Sequence, residues 1–287
     1  MRLQNVRIIS AEGFQREVRH MNAILYPMKV HAVKLEYRRL KLAEMPHGSF
    51  REIKGKSVVV INYDPDNPAV TSRCSRKYSV TSKRGKLYSE KINEYLHLKA
   101  EYDALLTSWK AMYSFAPPRV KFPIKQFSDP HRMNNEFFER AEDRLGAYKP
   151  ENPTVSDHGE LKSKNELMGA DLLKMMDIPF KYETEVYLPA VDETINPDYL
   201  VNFYEIDRCA YLEILGMNDK VDYSLRTATK VTGFSKELYR PGREVIYVHV
   251  YDRNNFDRDY FVSQVLSAFN DMIPDSALDW EPVSQVV

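Results

Sequence analysis

Two acidic residues lie inside segments that otherwise have the apolar composition of buried β-strands. Asp198 lies in INPDYLVNFY (195–204), and Glu213 lies in CAYLEILGM (209–217). Side chains alternate between the two faces of a strand, so the two carboxylates can converge if the strands are neighbours. A buried carboxylate is costly unless it is paired or bound to a cation, and two of them together indicate a divalent metal site. The alternative is that each acid stands at a strand end, exposed or salt-bridged.

A third acid, Glu166, belongs to a helix predicted at about 163–177. It shares a stripe of that helix with Ala170 and Leu173, which should face the sheet. The spacing Ser163-x-x-Glu166 is also that of a capping box, in which the glutamate reaches back to the start of the helix. Taken by itself this motif favours the cap, so a role in metal binding depends on the other two acids.

The segments around these acids predict a mixed sheet flanked by helices. In chain order they are a helix, three strands, a helix, a strand and a helix, at about 163–177, 181–189, 195–204, 209–217, 222–237, 243–251 and 257–272. Three consecutive strands between helices argue against a doubly wound parallel sheet.

The first part of the chain predicts two long helices. Alternating spacings of three and four residues between stripe positions predict helices over 28–45 and 88–114, which can pack as an antiparallel pair. Prolines then cluster over 115–157, which is typical of a linker, with one short helix at about 132–146.

Between the two long helices the pattern predicts a β-hairpin with a run of positive charge. SVVVIN (57–62) and YSVTS (78–82) are typical of strands, with DPDNP (64–68) as the turn. Basic residues crowd the second arm and its exit: Arg73, Arg76, Lys77, Lys83, Arg84 and Lys86. They either blunt an exposed edge strand or contact the phosphates of a nucleic acid, and the sequence leaves both interpretations open.

The net charge of zero conceals an asymmetry between the two halves of the chain. Residues 1–150 carry 28 basic and 16 acidic side chains, whereas residues 151–287 carry 13 basic and 25 acidic ones. Either the halves dock on each other, or one half holds a polyanion while the other holds metal ions. Charge alone favours neither arrangement.

Composition excludes several classes of protein. A chain of 287 residues that is 43% hydrophobic can bury the core of one large domain or two modest ones. Cys74 and Cys209 are the only cysteines, which excludes a disulfide scaffold or a thiolate zinc cluster and indicates a reducing compartment such as the cytoplasm. Neither GxGxxG nor GxxxxGK[ST] occurs, so a Gly-rich phosphate loop is not expected. No apolar run approaches the roughly 18 residues of a membrane span.

The order of these elements and acids resembles the PD-(D/E)XK nuclease superfamily, which has the restriction-endonuclease-like fold. The segments that carry the resemblance are KSKNELMGADLL, INPDYLV and YLEILGMND, within about 160–250. Within the superfamily the chain is most similar to uncharacterised bacterial and phage proteins, in which a basic two-helix region with a PxGS-led β-hairpin precedes the nuclease-like domain. The matching segments here are MPHGSF (45–50) and EYLHLKAEYDALL (94–106).

The resemblance implies a three-part chain of mixed α and β structure. A basic region at 1–115, a helical hairpin with an inserted β-hairpin, would bind nucleic acid or dock on the acidic half of the chain. A linker at 116–157 would lead to a nuclease-like domain at 158–287. The implied activity is that of a DNA endonuclease dependent on Mg²⁺ or Mn²⁺, with the three acids described above as ligands. No membrane partner is expected, and a homodimer is left open.

The second hypothesis is a catalytically silent nuclease fold that binds DNA or protein.

One departure from the superfamily pattern concerns the lysine two residues after the second acid. That position is Leu215 here, and an apolar side chain cannot polarise a phosphate or orient a water. The following helix offers Lys230 as a replacement, and Lys220, just past the strand, is the second candidate. If Lys230 is an ordinary surface lysine, the site would bind metal or nucleic acid without cutting it.

Overall fold

The structure of the protein, a computed structural model, describes residues 26–124, 131–144, 146, 153–216, 221–250 and 256–280. The chain divides into two compact units. The larger unit comprises Lys121–Leu278 together with the chain up to Val30, and the smaller unit comprises His31–Val120 together with the residues from Asp279 onward.

The α-helices of the described residues are α1 (Met28–Glu44), α2 (Lys83–Met112), α3 (Asn135–Arg140), α4 (Lys164–Met175), α5 (Val221–Lys236) and α6 (Arg258–Asp271). The strands are β1 (His47–Ile53), β2 (Lys56–Tyr63), β3 (Arg76–Ser79), β4 (Arg119–Val120), β5 (Thr154–Ser156), β6 (Gly159–Leu161), β7 (Phe180–Tyr182), β8 (Val186–Leu188), β9 (Glu193–Ile195), β10 (Tyr199–Phe203), β11 (Arg208–Leu215), β12 (Val245–His249) and β13 (Leu278–Asp279). Among the described helices, none has both the length and the apolar character that crossing a membrane requires.

In the smaller unit, α1 and α2 form the antiparallel pair that their spacing predicts. A ring nitrogen of His31 lies 2.8 Å from the carbonyl oxygen of Leu105, and Arg38 donates a hydrogen bond of 2.9 Å to Glu101. Residue numbers therefore fall along α2 as they rise along α1. The fully buried Trp109 lies edge-on to the ring of His31, at 5.2 Å between centroids.

Helix α2 begins earlier than its predicted start at residue 88. The side chain of Ser82 accepts a hydrogen bond of 3.0 Å from the backbone N–H of Gly85, and this cap begins the helix at Lys83. Three of the six basic residues, Lys83, Arg84 and Lys86, therefore lie at the start of a helix rather than at the exit of a strand.

The β-hairpin of the smaller unit is built from different segments than predicted. β2 overlaps the predicted strand at 57–62, but its hairpin partner is β1, and β3 pairs with its other edge. The turn is Lys54-Gly55, whose φ angles of 51° and 69° suit a two-residue hairpin turn. DPDNP at 64–68 begins the longer connection from β2 to β3 instead. Strand β3 also ends at Ser79 rather than at residue 82.

The larger unit contains a four-stranded mixed sheet in the order β12-β11-β10-β7, in which only β11 and β12 run parallel. Helices cover both of its faces. Phe234 of α5 packs with Leu200 and Tyr211 on one face. On the other, Gly169 lets α4 approach so closely that a Cβ there would lie 3.1 Å from the side chain of Ile214. The α+β class and the flanked mixed sheet are thereby confirmed.

Several predicted elements of this unit are shorter in the structure. The strand predicted at 195–204 covers only β10, so Asp198 lies in the bend just before that strand rather than inside it. The strand predicted at 181–189 divides into β7 and β8, because Glu183 has a left-handed backbone with φ of 49°. The helix predicted at 132–146 covers only α3. It stops early because Asp143 accepts a hydrogen bond of 2.6 Å from the N–H of Tyr182, and the N–H of Arg144 returns one to the Tyr182 carbonyl. This stretch of chain is held by β7 instead of continuing the helix.

Candidate functional site

A cavity of about 1010 Å³ lies in the larger unit, and its wall contains residues from β9, β11, the start of α4 and α5, together with Asp198 just before β10. Among the residues that line it are the four that sequence analysis proposes as catalytic: Glu166, Asp198, Glu213 and Lys230. Leu215, which stands where the superfamily pattern has a lysine, lines the cavity as well.

Asp198 and Glu213 face each other across two neighbouring strands. β10 and β11 are antiparallel with Tyr199 opposite Leu212, so the next pair along the register is Asp198 and Glu213. Residues in such direct opposition project from the same face of a sheet. Asp198 Oδ2 accepts a hydrogen bond of 2.6 Å from the N–H of Ile214, which ties this carboxylate to β11.

The environment of the two acids disfavours their charged forms. Burial raises the pKa of Asp198 well above its ordinary value, the Glu213 carboxylate raises it further, and the Lys230 ammonium opposes the shift. Burial also raises the pKa of Glu213, which is only 3% exposed, and Lys230 again opposes the change. A raised carboxyl pKa means that negative charge is under-compensated, so a proton or a cation would stabilise the site.

Lys230 reaches the acids from α5. Its Nζ lies 2.8 Å from Glu213 Oε1, 3.0 Å from Glu213 Oε2 and 3.2 Å from the carbonyl oxygen of Asn196. Three acceptors match the three N–H groups of an ammonium. Lys230 is therefore the counter-ion of Glu213 inside the cavity, and its side chain is 26% exposed. Lys220, the second lysine candidate, lies outside the described residues.

Glu166 and Ser163 form a variant of the capping box that their spacing predicts, in which the glutamate reaches the N–H of Lys162 rather than that of the N-cap residue Ser163. The N–H of Glu166 donates to Ser163 Oγ at 3.2 Å, and Ser163 Oγ donates to Glu166 Oε1 at 3.0 Å. Oε2 accepts from the N–H of Lys162 at 2.9 Å and from the hydroxyl of Tyr182 at 2.5 Å. Both carboxylate oxygens are thus engaged, yet the charge of Glu166 still contributes to the raised pKa of Asp198.

An ion pair between Glu183 and Lys162 lines the same cavity, and neither residue was predicted from the sequence to belong to the site. The N–H of Glu183 donates to the Asp198 carbonyl at 3.1 Å, so Glu183 is the neighbour of Asp198 on the side away from Glu213. Burial raises the pKa of Glu183, and the Lys162 ammonium opposes this. Strand alternation could not locate Glu183, because its place beside Asp198 depends on the pairing of β7 with β10.

A second residue absent from the sequence analysis, Tyr247, lies directly opposite Glu213 on β12. Its hydroxyl is buried and has no hydrogen-bond partner among the described residues. Burial, and then the charge of Glu213, raise the pKa of Tyr247, so the phenol stays neutral. The only sequence signal for it was its place in a predicted strand.

Within the described ranges, no three His, Cys, Asp or Glu side chains form a ready-made set of metal ligands. The donor chemistry of the cavity nevertheless suits a hard divalent cation, which takes oxygen ligands. Oδ1 of Asp198 accepts no hydrogen bond from the part of the chain that the structure describes, and the raised pKa of this carboxyl indicates missing positive charge. Glu213, in contrast, already has Lys230 as its counter-ion.

The six basic residues proposed to bind nucleic acid belong to the smaller unit. Arg73 precedes β3, Arg76 and Lys77 open that strand, and the other three lie in the first turns of α2. All six are exposed. None of them forms an ion pair with another described residue. Their charge is therefore available to a partner.

No protein-family model, curated protein or solved structure matches the chain. The resemblance to the nuclease superfamily therefore depends on the residues and on the order of the elements.

Proposed function

We propose that the chain is a metal-dependent nuclease that hydrolyses phosphodiester bonds of nucleic acid, acting as a DNA endonuclease. The observation that carries this proposal is the position of Asp198 and Glu213, opposite each other and beside Lys230 in one cavity. Carboxyl groups with strongly perturbed pKa values in a cavity are characteristic of functional sites. The mixed sheet with helices on both faces supports a restriction-endonuclease-like fold for the larger unit.

Mg²⁺ or Mn²⁺ is the cofactor that this donor set would take, with Asp198 and Glu213 as its ligands and Glu166 contributing directly or through a water. When bound, such an ion would supply an activated water for in-line attack and would neutralise charge that develops on the phosphodiester.

Lys230 takes the role that Leu215 cannot fill. Its ammonium is held by Glu213 and by the carbonyl of Asn196, at the wall of the cavity that contains the acids. A phosphate oxygen in the cavity would compete for one of the three N–H groups. The lysine would then hold either the attacking water or a non-bridging oxygen of the phosphate.

The affinity for nucleic acid is assigned to the smaller unit. An acidic cavity repels a polyanion, so the substrate must be held by positive charge elsewhere. The exposed basic residues from Arg73 to Lys86 provide it, since six of these fourteen positions are basic and none is acidic.

A second candidate function is that of a catalytically silent nuclease fold that binds DNA or protein. The observation in its favour is that the three N–H groups of Lys230 already have acceptors within the protein, while Leu215 is apolar. A lysine that stays with Glu213 would leave the substrate phosphate without a donor.

Cleavage of plasmid and single-stranded DNA with Mg²⁺, with Mn²⁺ and with EDTA distinguishes the two functions. A nuclease cuts with metal and not with EDTA, and Asp198→Asn or Glu213→Gln should lower the rate by at least about 100-fold. Glu185→Gln is the matched control, because this exposed glutamate of the same unit does not line the cavity. Wild-type cleavage by either cavity variant would place the site elsewhere. DNA binding without cleavage in either metal would favour the silent fold.

A further inference from the structure

We propose that the tip of the β1–β2 hairpin, residues 51–57, enters a groove of double-stranded DNA. This inference rests on the proposed function and deepens it, because it names a duplex as the nucleic acid. The tip turns at Lys54-Gly55, where both φ angles are positive, 51° and 69°. Two-residue turns of this kind match the twist of the flanking strands, so the hairpin continues as a regular ribbon up to its end.

The tip extends beyond the third strand of its sheet. β3 pairs only with Val58–Ile61 of β2, and the residue after it, Val80, bonds to Ser57, which leaves residues 51–56 as a two-stranded ribbon. Every residue of the tip except Ile53 is exposed. Neighbouring strands lie about 4.8 Å apart, and the major groove of B-DNA, about 12 Å wide, admits such a ribbon.

The charge of the tip is positive and uncompensated. It carries Arg51, Lys54 and Lys56 against a single acid, Glu52. None of the three basic side chains forms an ion pair within the described ranges. Phosphate oxygens on both sides of a groove would supply the missing negative charge.

A second group of basic residues lies at the same end of the sheet. The N–H of Val80 donates to the Ser57 carbonyl at 3.2 Å, which attaches the chain after β3 to the tip. The next residues lead directly into α2, whose Gly85 lies so close to Ser79 that a Cβ there would overlap the Ser79 carbonyl. The first turn of α2 has no acidic residue, and it begins with Lys83 at the positive end of the helix dipole. The start of α2 is therefore attached at the same end of the sheet as the tip and adds positive charge there.

The aromatic residues of this region favour a duplex over a single strand. Proteins that hold single strands stack the bases on aromatic side chains. The tip has no aromatic residue, and the rings behind it stack on one another, Tyr78 on Tyr88 at 5.3 Å and His47 on Tyr95 at 5.2 Å between centroids. Phe50, which precedes the tip, is 40% exposed and is a single ring rather than a series on which successive bases could stack. Exposed positive charge on residues 51–57, which include no aromatic side chain, suits the phosphates of a duplex.

The test measures how the full chain binds a 30-base-pair duplex and one of its strands alone. Binding is measured in EDTA by fluorescence anisotropy, at a series of salt concentrations. The triple variant Arg51→Ala/Lys54→Ala/Lys56→Ala should bind the duplex at least tenfold more weakly. For every phosphate that the variant no longer neutralises, the salt dependence should also flatten by about 0.9 log units per log unit of salt. The wild type should bind the duplex more tightly than the single strand.

The matched control is Lys41→Ala/Lys99→Ala/Lys110→Ala, which removes the same charge from helices of the same unit. It should retain wild-type duplex binding, and circular dichroism should show both triple variants folded. Unchanged binding by the tip variant, an equal reduction in the control, or equal affinity for the single strand would each overturn the proposal. Failure of the wild type to bind DNA would also overturn it and would point to an acidic protein as the partner. Since EDTA removes the metal, the outcome is independent of whether the protein cleaves DNA.

Discussion

At the scale of single residues, the cavity contains more negative than positive charge at its centre. Asp198 lies between Glu183 and Glu213 along the register of the sheet. Each of these two neighbours has a lysine, Lys162 or Lys230, but no ammonium donates a hydrogen bond to Asp198 among the described residues. A half-buried carboxylate whose nearest lysines pair with its neighbours costs stability, so Asp198 calls for a functional explanation. The titration of Asp198 and the response of the protein to a divalent cation are the direct tests of this explanation.

Asp198→Asn should stabilise the metal-free protein at neutral pH. Because the pKa of Asp198 is raised in the folded state, the native protein binds more protons than the unfolded chain, and stability falls as pH rises above about 4. The amide keeps an oxygen that can accept from Ile214 but carries no charge. We expect a gain on the order of 1–2 kcal/mol at pH 8 that vanishes near pH 4, measured by thermal unfolding in EDTA. Mg²⁺ should raise the melting temperature of the wild type but not that of the variant. Equal pH profiles would contradict this account of the site.

Lys230→Met should destabilise the protein, because it leaves the buried Glu213 without its counter-ion. Breaking a buried pair costs about 3–5 kcal/mol, and partial exposure of the ammonium reduces the expected destabilisation to about 2–3 kcal/mol. The double variant Lys230→Met/Glu213→Gln should recover most of it, since the charge has been removed as well. Urea unfolding of the two single variants and the double variant measures this coupling. If the changes in unfolding free energy of the two single variants add up to that of the double variant, the two side chains do not act as a pair.

At the scale of elements, the start of α4 serves two purposes. Ser163 caps the helix, and the same cap holds Glu166 at the wall of the cavity. The hydroxyl of Tyr199 donates to the Glu166 carbonyl, which attaches this turn to β10 beside Asp198. A capping residue and a functional carboxylate are therefore compatible here, and substitutions that preserve the cap can separate the two roles.

Glu166→Gln should leave stability within about 0.5 kcal/mol of the wild type, because a glutamine also completes a capping box. It should nevertheless lower metal-dependent cleavage at least tenfold, because the amide is a much poorer ligand for the cation or its water. Ser163→Ala should have the opposite effects. It should lower the free energy of unfolding by about 1 kcal/mol, because the cap is removed, while cleavage persists. Thermal unfolding and plasmid cleavage of both variants provide the comparison. If Glu166→Gln cuts like the wild type, the residue acts only as a cap.

At the scale of the whole molecule, opposite charges are concentrated in different parts of the chain. Residues 1–150 carry a net charge of +12 and residues 151–287 a net charge of −12. In the described part of the smaller unit, the basic stretch from Arg73 to Lys86 is exposed and forms no ion pairs. This favours a role in binding a polyanion, while docking of the two halves remains the competing explanation.

Replacing Arg73, Arg76, Lys83 and Arg84 together with alanine distinguishes the two explanations. If the stretch binds phosphates, DNA binding weakens for all sequences, and the salt dependence flattens by about 0.9 log units for every phosphate that is no longer neutralised. The melting temperature should stay within a few degrees, because exposed unpaired charges contribute little to folding. Anisotropy at several salt concentrations and thermal unfolding measure the two effects. A large drop in melting temperature with an unchanged salt slope would support docking.

The sequence by itself determined the α+β class, the long helices, the strand that contains Glu213 and the strand that begins just after Asp198. These depend on local periodicity, which is visible in a short window of residues. The strand partners of the β-hairpin, the counter-ion of Glu213 and the contribution of Glu183 were decided only by the tertiary structure. Lys230 is 17 residues from Glu213 in the chain, and packing of α5 on the sheet brings them together. The pairing of β7 with β10 places Glu183 beside Asp198, and no pattern within a short window of residues encodes which strands pair.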